Sequence, residues 1–136
     1  MSYSKSVEIG LPYEQAIGAV KDAFKAQGFG ALTEIDVRAT LKEKLGEDTE
    51  PCLIIGACNP SLAHQALSIE PSVAVLLPCN VVVRARDGHC LVEAMDPAVM
   101  SSLTGNSGLE AVAGEAEGRV GKALESLAAA HPVPSA

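Results

Sequence analysis

Hydrophobic and polar positions change their period along the chain, and the changes mark out its elements. From Tyr3 to Ile9 they alternate. Tyr3, Lys5, Val7 and Ile9 share one face, and Ser4, Ser6 and Glu8 the other, the pattern of a half-buried strand that Gly10 ends. From Pro12 to Gln27 the spacing turns helical: Ala16, Ile17, Val20, Ala23 and Phe24 form one apolar stripe. Pro12 lies near the first turn and Gly28 supplies a C-cap. Phe29 to Ile35 predicts a second strand. Asp36 then caps a short helix that carries Val37, Leu41 and Leu45 on one side and stops at Gly46. Glu47-Asp48-Thr49-Glu50 is a loop.

Cys52 to Cys58 predicts a third strand, apolar on both faces, as expected of a central strand or one covered on both sides. Asn59 is its helix-starting neighbour, with Pro60 at the first helical position, and the helix runs to about Glu70. Val73 to Leu77 is too short a run to assign. Asn80 to Arg86 and His89 to Met95 form a hairpin around Asp87-Gly88, the signature of a type I′ turn. That turn sets Arg86 opposite His89, Ala85 opposite Cys90, Val83 opposite Val92 and Val81 opposite Ala94. One face of the hairpin (Cys79, Val81, Val83, Ala85, Cys90, Val92, Ala94) is then wholly apolar and must be core. Asp96-Pro97 opens a helical turn, and Thr104 to Gly108 is a loop. Ser107 and Glu110 have capping-box spacing for a final helix with Leu109, Val112, Ala113, Ala116, Val120, Ala123, Leu124 and Leu127 in helical period.

The resulting order, β-α-β-(α)-β-α-β-β-α, predicts an α+β fold: a five-stranded, mostly antiparallel sheet with two long helices on one face. Residues 1–130 read as one domain and 131–136, with two prolines, as a flexible tail.

Composition narrows what such a domain can do. The net charge is −7, with ten basic residues against seventeen acidic ones and no basic run. That disfavours nucleic acid and anionic membrane surfaces as partners, and an aromatic content of 3% leaves no platform for stacking bases. No apolar run reaches the roughly 18 residues of a membrane span, and the first residues lack the apolar core of a signal peptide. A cytoplasmic location is the resulting expectation, and there cysteines stay reduced. The four cysteines are therefore read as free thiols, ligands or packing residues.

Three of those cysteines fall between Cys52 and Asn80. Cys58 ends a strand just before a helix N-terminus, where partial positive charge can favour a thiolate; burial as a small apolar side chain competes with that role. Cys79 opens the core face of the hairpin behind Pro78. Cys52 lies about 20 Å from Cys58 along a straight strand, too far to share a bond or a metal with it. Cys90 lies beside the hairpin turn, and both it and Cys52 read as packing residues. His64 falls on the polar flank of its helix. Asn59 is explained as an N-cap; Asn80, on the mixed face of the hairpin, is not. As a metal set, Cys58 and Cys79 with His64 lack paired short spacing.

Gly28-Phe29-Gly30, Thr33 to Val37, Thr40 to Gly46, Ile55-Gly56-Ala57-Cys58-Asn59-Pro60, Ala63 to Leu67 and Leu76-Leu77-Pro78-Cys79-Asn80-Val81 together resemble the family called domain of unknown function 302. The resemblance covers most of the chain and is specific in its two Cys-Asn motifs. It implies a compact TATA-binding-protein-like α+β fold in soluble bacterial or archaeal proteins that dimerise, with no established enzymatic activity. It also implies cysteines at the positions of Cys58 and Cys79. An aromatic expected after Pro51 is replaced here by Cys52.

The candidate site is thus Cys58, Asn59, Cys79, Asn80 and His64, with Cys58 and Cys79 as the metal ligands if a metal is held. The leading expectation is a non-enzymatic binding or sensing module, a homodimer, using the two thiols for a soft metal or for dithiol redox chemistry. The alternatives are a small-molecule carrier, with its ligand between the sheet and the last helix, and a thiol enzyme with Cys58 as nucleophile and His64 as base. The cofactor, if there is one, is not identified by the sequence.

Overall fold

The computed structural model of the chain describes residues 2–134. Among them the strands form one five-stranded antiparallel sheet. Strands β1 (Ser4–Ile9), β2 (Gly30–Asp36), β3 (Cys52–Cys58), β4 (Cys79–Arg86) and β5 (His89–Met95) lie in the order β1-β5-β4-β3-β2. Helices α1 (Tyr13–Lys25), α2 (Val37–Leu45), α3 (Pro60–Ile69), α4 (Val99–Thr104) and α5 (Glu110–Ala130) connect and close it. The fold is α+β, as the hydrophobic pattern predicts.

The hairpin register agrees with the sequence pattern at every pair: Arg86 with His89, Ala85 with Cys90, Val83 with Val92, Val81 with Ala94. Its turn differs. A type I′ turn needs both central residues at positive φ, yet only Gly88 has it, at 75°. Asp87 keeps a negative φ, and its carbonyl accepts from His89 Nδ1 at 3.0 Å.

Two buried clusters fill the molecule. The larger joins the apolar face of the sheet (Ile9, Leu53, Ile55, Val81, Val83, Val92) to α1 and the C-terminal half of α5. Both phenylalanines serve it, Phe24 and Phe29 meeting edge to face at 5.9 Å. The smaller joins α3, α4 and the N-terminal half of α5, through Leu62, Ala66, Val73, Met100, Leu109, Val112, Ala113 and Ala116. At 21 residues, α5 runs about 31 Å, long enough to serve both. Val73 to Leu77, unassigned from sequence, falls largely in a 3-10 helix, Pro71–Leu76.

Two further local expectations are corrected. The capping box at Ser107 and Glu110 does not form. A 3-10 turn, Ser107–Leu109, leads directly into α5, and it is Asn106 that accepts the Gly108 N–H, at 2.9 Å. The apolar side of α2 stays out of the core: no α2 residue is buried and Leu45 is 69% exposed. Its N-cap is as expected, Asp36 Oδ1 accepting from Ala39 N–H at 2.9 Å. Of the segment read as a flexible tail, the His131 carbonyl accepts from Gly10 N–H at 2.7 Å, and residues 135–136 lie outside the described residues. No helix among the described residues is long and apolar enough to cross a membrane.

His89 ties the hairpin turn to the edge of the sheet. Nδ1 faces the Asp87 carbonyl, and Nε2 faces Glu8 Oε1 at 3.2 Å. Both neighbours are acceptors, so the doubly protonated ring satisfies both. These bonds, the carbonyl's first, raise the His89 pKa above 6.5. A pKa raised by folding adds stability that is complete below the unfolded value and fades as pH rises through the folded one. We therefore expect the melting temperature of the wild type, relative to His89→Gln, to fall between about pH 6 and 8. A difference that stays flat across parallel thermal melts would contradict the assignment.

Candidate functional site

Strand β3 runs through the interior of the sheet and ends at Cys58. Leu53, Ile55 and Ala57 enter the larger core, while Cys52, Ile54, Gly56 and Cys58 take the opposite register. Its partner β4 begins at Cys79, directly opposite Ala57. Cys58 is one step further along. A cross-strand Cα separation of about 5 Å and a rise of 3.3 Å then put the Cα atoms of Cys58 and Cys79 ~6 Å apart, inside the range a disulfide spans. By pleat alone their side chains would part to opposite faces. Both nevertheless line one cavity, because β3 stops at Cys58 and the chain turns into α3.

That cavity lies at the seam between the two buried clusters and has a volume of about 30 Å³. Ala57 and Phe29 border it from the sheet side, Leu62, Ala63 and Ala66 from α3, and Met100 and Ala116 from α4 and α5. Leu77, Pro78 and Cys79 close its remaining side. Cys58 and Cys79 are free thiols, each half-buried. Burial pushes the Cys79 thiol up to about 11, and the neighbouring Cys58 charge adds to the rise. The two sulfurs are therefore electrostatic neighbours as well as neighbours in register.

Backbone constraints hold this corner in place. Gly56 is a glycine because nothing larger fits: a Cβ there would overlap the Thr33 hydroxyl and lie 2.8 Å from Pro78 Cγ. That packing brings Pro78, and with it Cys79, against β3; the Leu77–Pro78 peptide is cis. On the other side Asn59, 7% exposed, works in two directions. Its Oδ1 accepts from Leu62 N–H at 3.2 Å, capping α3, and its Nδ2 donates to the Gln27 carbonyl at 3.4 Å. Arg119 Nη1 on α5 donates to the same carbonyl at 3.3 Å. Gly28 follows with φ 85°, and a Cβ on it would come within 2.9 Å of Asn59 Nδ2.

The remaining candidates separate from the pair. His64 is exposed on α3 and does not line the cavity. Asn80 is exposed on the opposite face of the sheet, opposite Gly56, where it borders an open groove with Tyr3, Leu76, Val82 and Leu103. Cys52 sits opposite Arg84, and Cys90 is fully buried; burial raises both of their pKa values. Among the described residues no three His, Cys, Asp or Glu side chains converge on a point where a metal could be held. Sequence reasoning missed Gly56, Met100 and Arg119 and had Pro78 only as the residue that leads into Cys79. Of these only Gly56 carried a signal, since a glycine inside an apolar strand marks close approach by another part of the chain.

The sequence model of the family described as "Domain of unknown function DUF302" matches residues 4–127. Among solved structures, the chain is similar to one described as "Crystal structure of uncharacterized conserved protein DUF302 from Bacillus stearothermophilus". The TM-score is 0.87 at 24% identity, over 93% of this chain and 99% of that one. No curated protein matches.

Asn59 supports the site by capping and by tethering, and the two roles can be separated. Asn59→Ala removes both and should destabilise the fold by about 1–2 kcal/mol. Asn59→Ser keeps a capping oxygen and loses the donor to Gln27, so its loss should be smaller. Urea unfolding of the two variants measures this, and equal losses would assign the cap no share.

Proposed function

The chain belongs to the DUF302 family, and we propose that within it the protein is a thiol-based binding or sensing module whose working groups are Cys58 and Cys79. One observation carries the reading: two free thiols, supplied by different strands, meet at the wall of one apolar cavity, where the charge of one acts on the other. Two such sulfurs support two chemistries. They can cycle between dithiol and disulfide, or act together as thiolate ligands to a soft metal.

The dithiol couple fits the arrangement better. It needs two sulfurs and no third ligand, and the estimated Cα separation suits the bond. Metal binding would require both protons to leave, and burial opposes that at Cys79. The carrier reading gains no support from the seam between sheet and α5. A cavity of about 30 Å³ holds one or two waters, far below the roughly 300–1,000 Å³ of small-molecule sites. Nor does an enzyme with His64 as base gain support, since that side chain lies away from the cavity.

Mild oxidation with diamide should remove two of the four thiols from the wild-type chain, with peptide mapping placing the new bond between Cys58 and Cys79. Cys58→Ser and Cys79→Ser should each abolish that bond and leave Cys52 and Cys90 reduced. Closing a loop of this length should also stabilise the oxidised form by about 3 kcal/mol in the chain-entropy account, seen as a higher melting temperature. Metal analysis of the purified protein runs beside it: a stoichiometric soft metal lost in both variants would keep the site and change its chemistry. Neither bond nor metal at these residues would end the proposal.

A further inference from the structure

Resting on the thiol reading above, we infer that the pair works in a fixed order: Cys58 is the thiol that meets an uncharged low-molecular-weight disulfide, and Cys79 is the thiol that resolves the adduct. Position sets the order. Cys79 stands on the core-facing register of β4, beside Val81 and Val83 in alternation. Leu77 and Pro78 line the same cavity, which at about 30 Å³ is too small to admit a disulfide reagent. Cys58 is the last residue of β3, on the opposite register, where the strand gives way to the turn into α3. A reagent therefore reaches the pair at Cys58, with Cys79 behind it. The residues flanking the pair, among them Ala63, Leu77 and Pro78, are apolar and favour an uncharged reagent over an ionic one.

The steps balance without a further reactant. The Cys58 thiolate attacks one sulfur of the reagent. A new S–S bond forms, the reagent's own S–S bond breaks, and the departing thiolate takes a proton from water. Cys79 then gives its proton to solvent and attacks the Cys58 sulfur. The mixed disulfide breaks, and the second reagent thiolate leaves and is protonated. Two cysteine thiols are oxidised by two electrons, and one disulfide is reduced to two thiols. The first step also prepares the second. The negative charge of Cys58 is one of the two causes holding the Cys79 proton on, and that charge vanishes when Cys58 forms the mixed disulfide. Burial persists, so closure stays pH-limited. Its rate should rise about tenfold per pH unit between about pH 7 and 9, following the thiolate fraction.

The test uses bis(2-hydroxyethyl) disulfide on the reduced full chain, quenched with acid and mapped by mass spectrometry. Wild type should end in the Cys58–Cys79 disulfide. Cys79→Ser should accumulate the adduct on Cys58, and Cys58→Ser should form an adduct on Cys79 at least about tenfold more slowly, as a thiol titrating far above neutrality reacts. A short alkylation pulse on the wild type, which depends on no variant folding, should label Cys58 before Cys79. If the wild-type disulfide forms but Cys79 is labelled first, or traps the adduct faster, the order is overturned and the thiol site stands. If no Cys58–Cys79 disulfide forms, the order is overturned together with the dithiol reading beneath it.

Discussion

One helix spanning two cores is the constraint on which the rest of the molecule depends. The apolar stripe of α5 places Val120, Ala123, Leu124 and Leu127 against the sheet, and Val112, Ala113 and Ala116 against α3 and α4. Neither group alone is large. Joined along one rigid rod, they fix α3 and α4 at the end of the sheet where β3 stops and β4 starts. Four of the residues at the seam are alanines: Ala57 from β3, Ala63 and Ala66 from α3, Ala116 from α5. Short side chains on facing surfaces cannot meet completely, and the cavity is the space they leave. A cavity produced by the junction of two packing units, rather than by a loop, has walls held by both cores.

Where the thiols sit is decided by backbone more than by side chains. Antiparallel pairing puts Cys79 opposite Ala57, and that register is set by Val81 opposite Ile55 and Val83 opposite Leu53, all buried. A slip of one residue would turn those buried side chains to the other face of the sheet. The absence of a side chain at Gly56 brings Pro78 in. The shared hold of Asn59 and Arg119 on the Gln27 carbonyl joins the start of α3, the middle of α5 and the loop before β2. Each element meeting at this corner is thus restrained by at least one contact that owes nothing to cysteine chemistry. The thiols can change state without being needed to hold the corner together.

That division also explains what could be read in advance. The hairpin register followed from a two-residue turn and the parity of seven apolar positions, both local. Asn59-Pro60 announced α3 for the same reason. Cys52 was removed by strand rise and His64 displaced by helix angle, again within one element. The failures are of two kinds. Ser107 and Glu110 have capping-box spacing, but Asn106 takes up the local N–H and a 3-10 turn fills the place of the cap. The stripe on α2 is helical in period, yet it is only partly covered, with Val37 and Leu41 half-buried and Leu45 exposed. In both, a local pattern was real and the surroundings used it otherwise. The clamp on Gln27 joins residues 92 positions apart, and no periodicity reports such a contact.

The electrostatics of the four cysteines turn this geometry into selectivity. Burial raises the pKa of Cys52, Cys79 and Cys90 alike. At Cys52 the nearby Arg84 charge pulls the other way, and burial still prevails. A thiol that holds its proton is a poor nucleophile and a poor ligand, so three of the four cysteines are kept quiet by the same burial that builds the core. What sets Cys79 apart from Cys52 and Cys90 is its neighbour. Its proton is held by burial and partly by the charge on Cys58, an influence that chemistry at Cys58 can remove, whereas the burial of Cys90 inside the sheet has no such release. Packing therefore supplies the background against which the proposed pair would act.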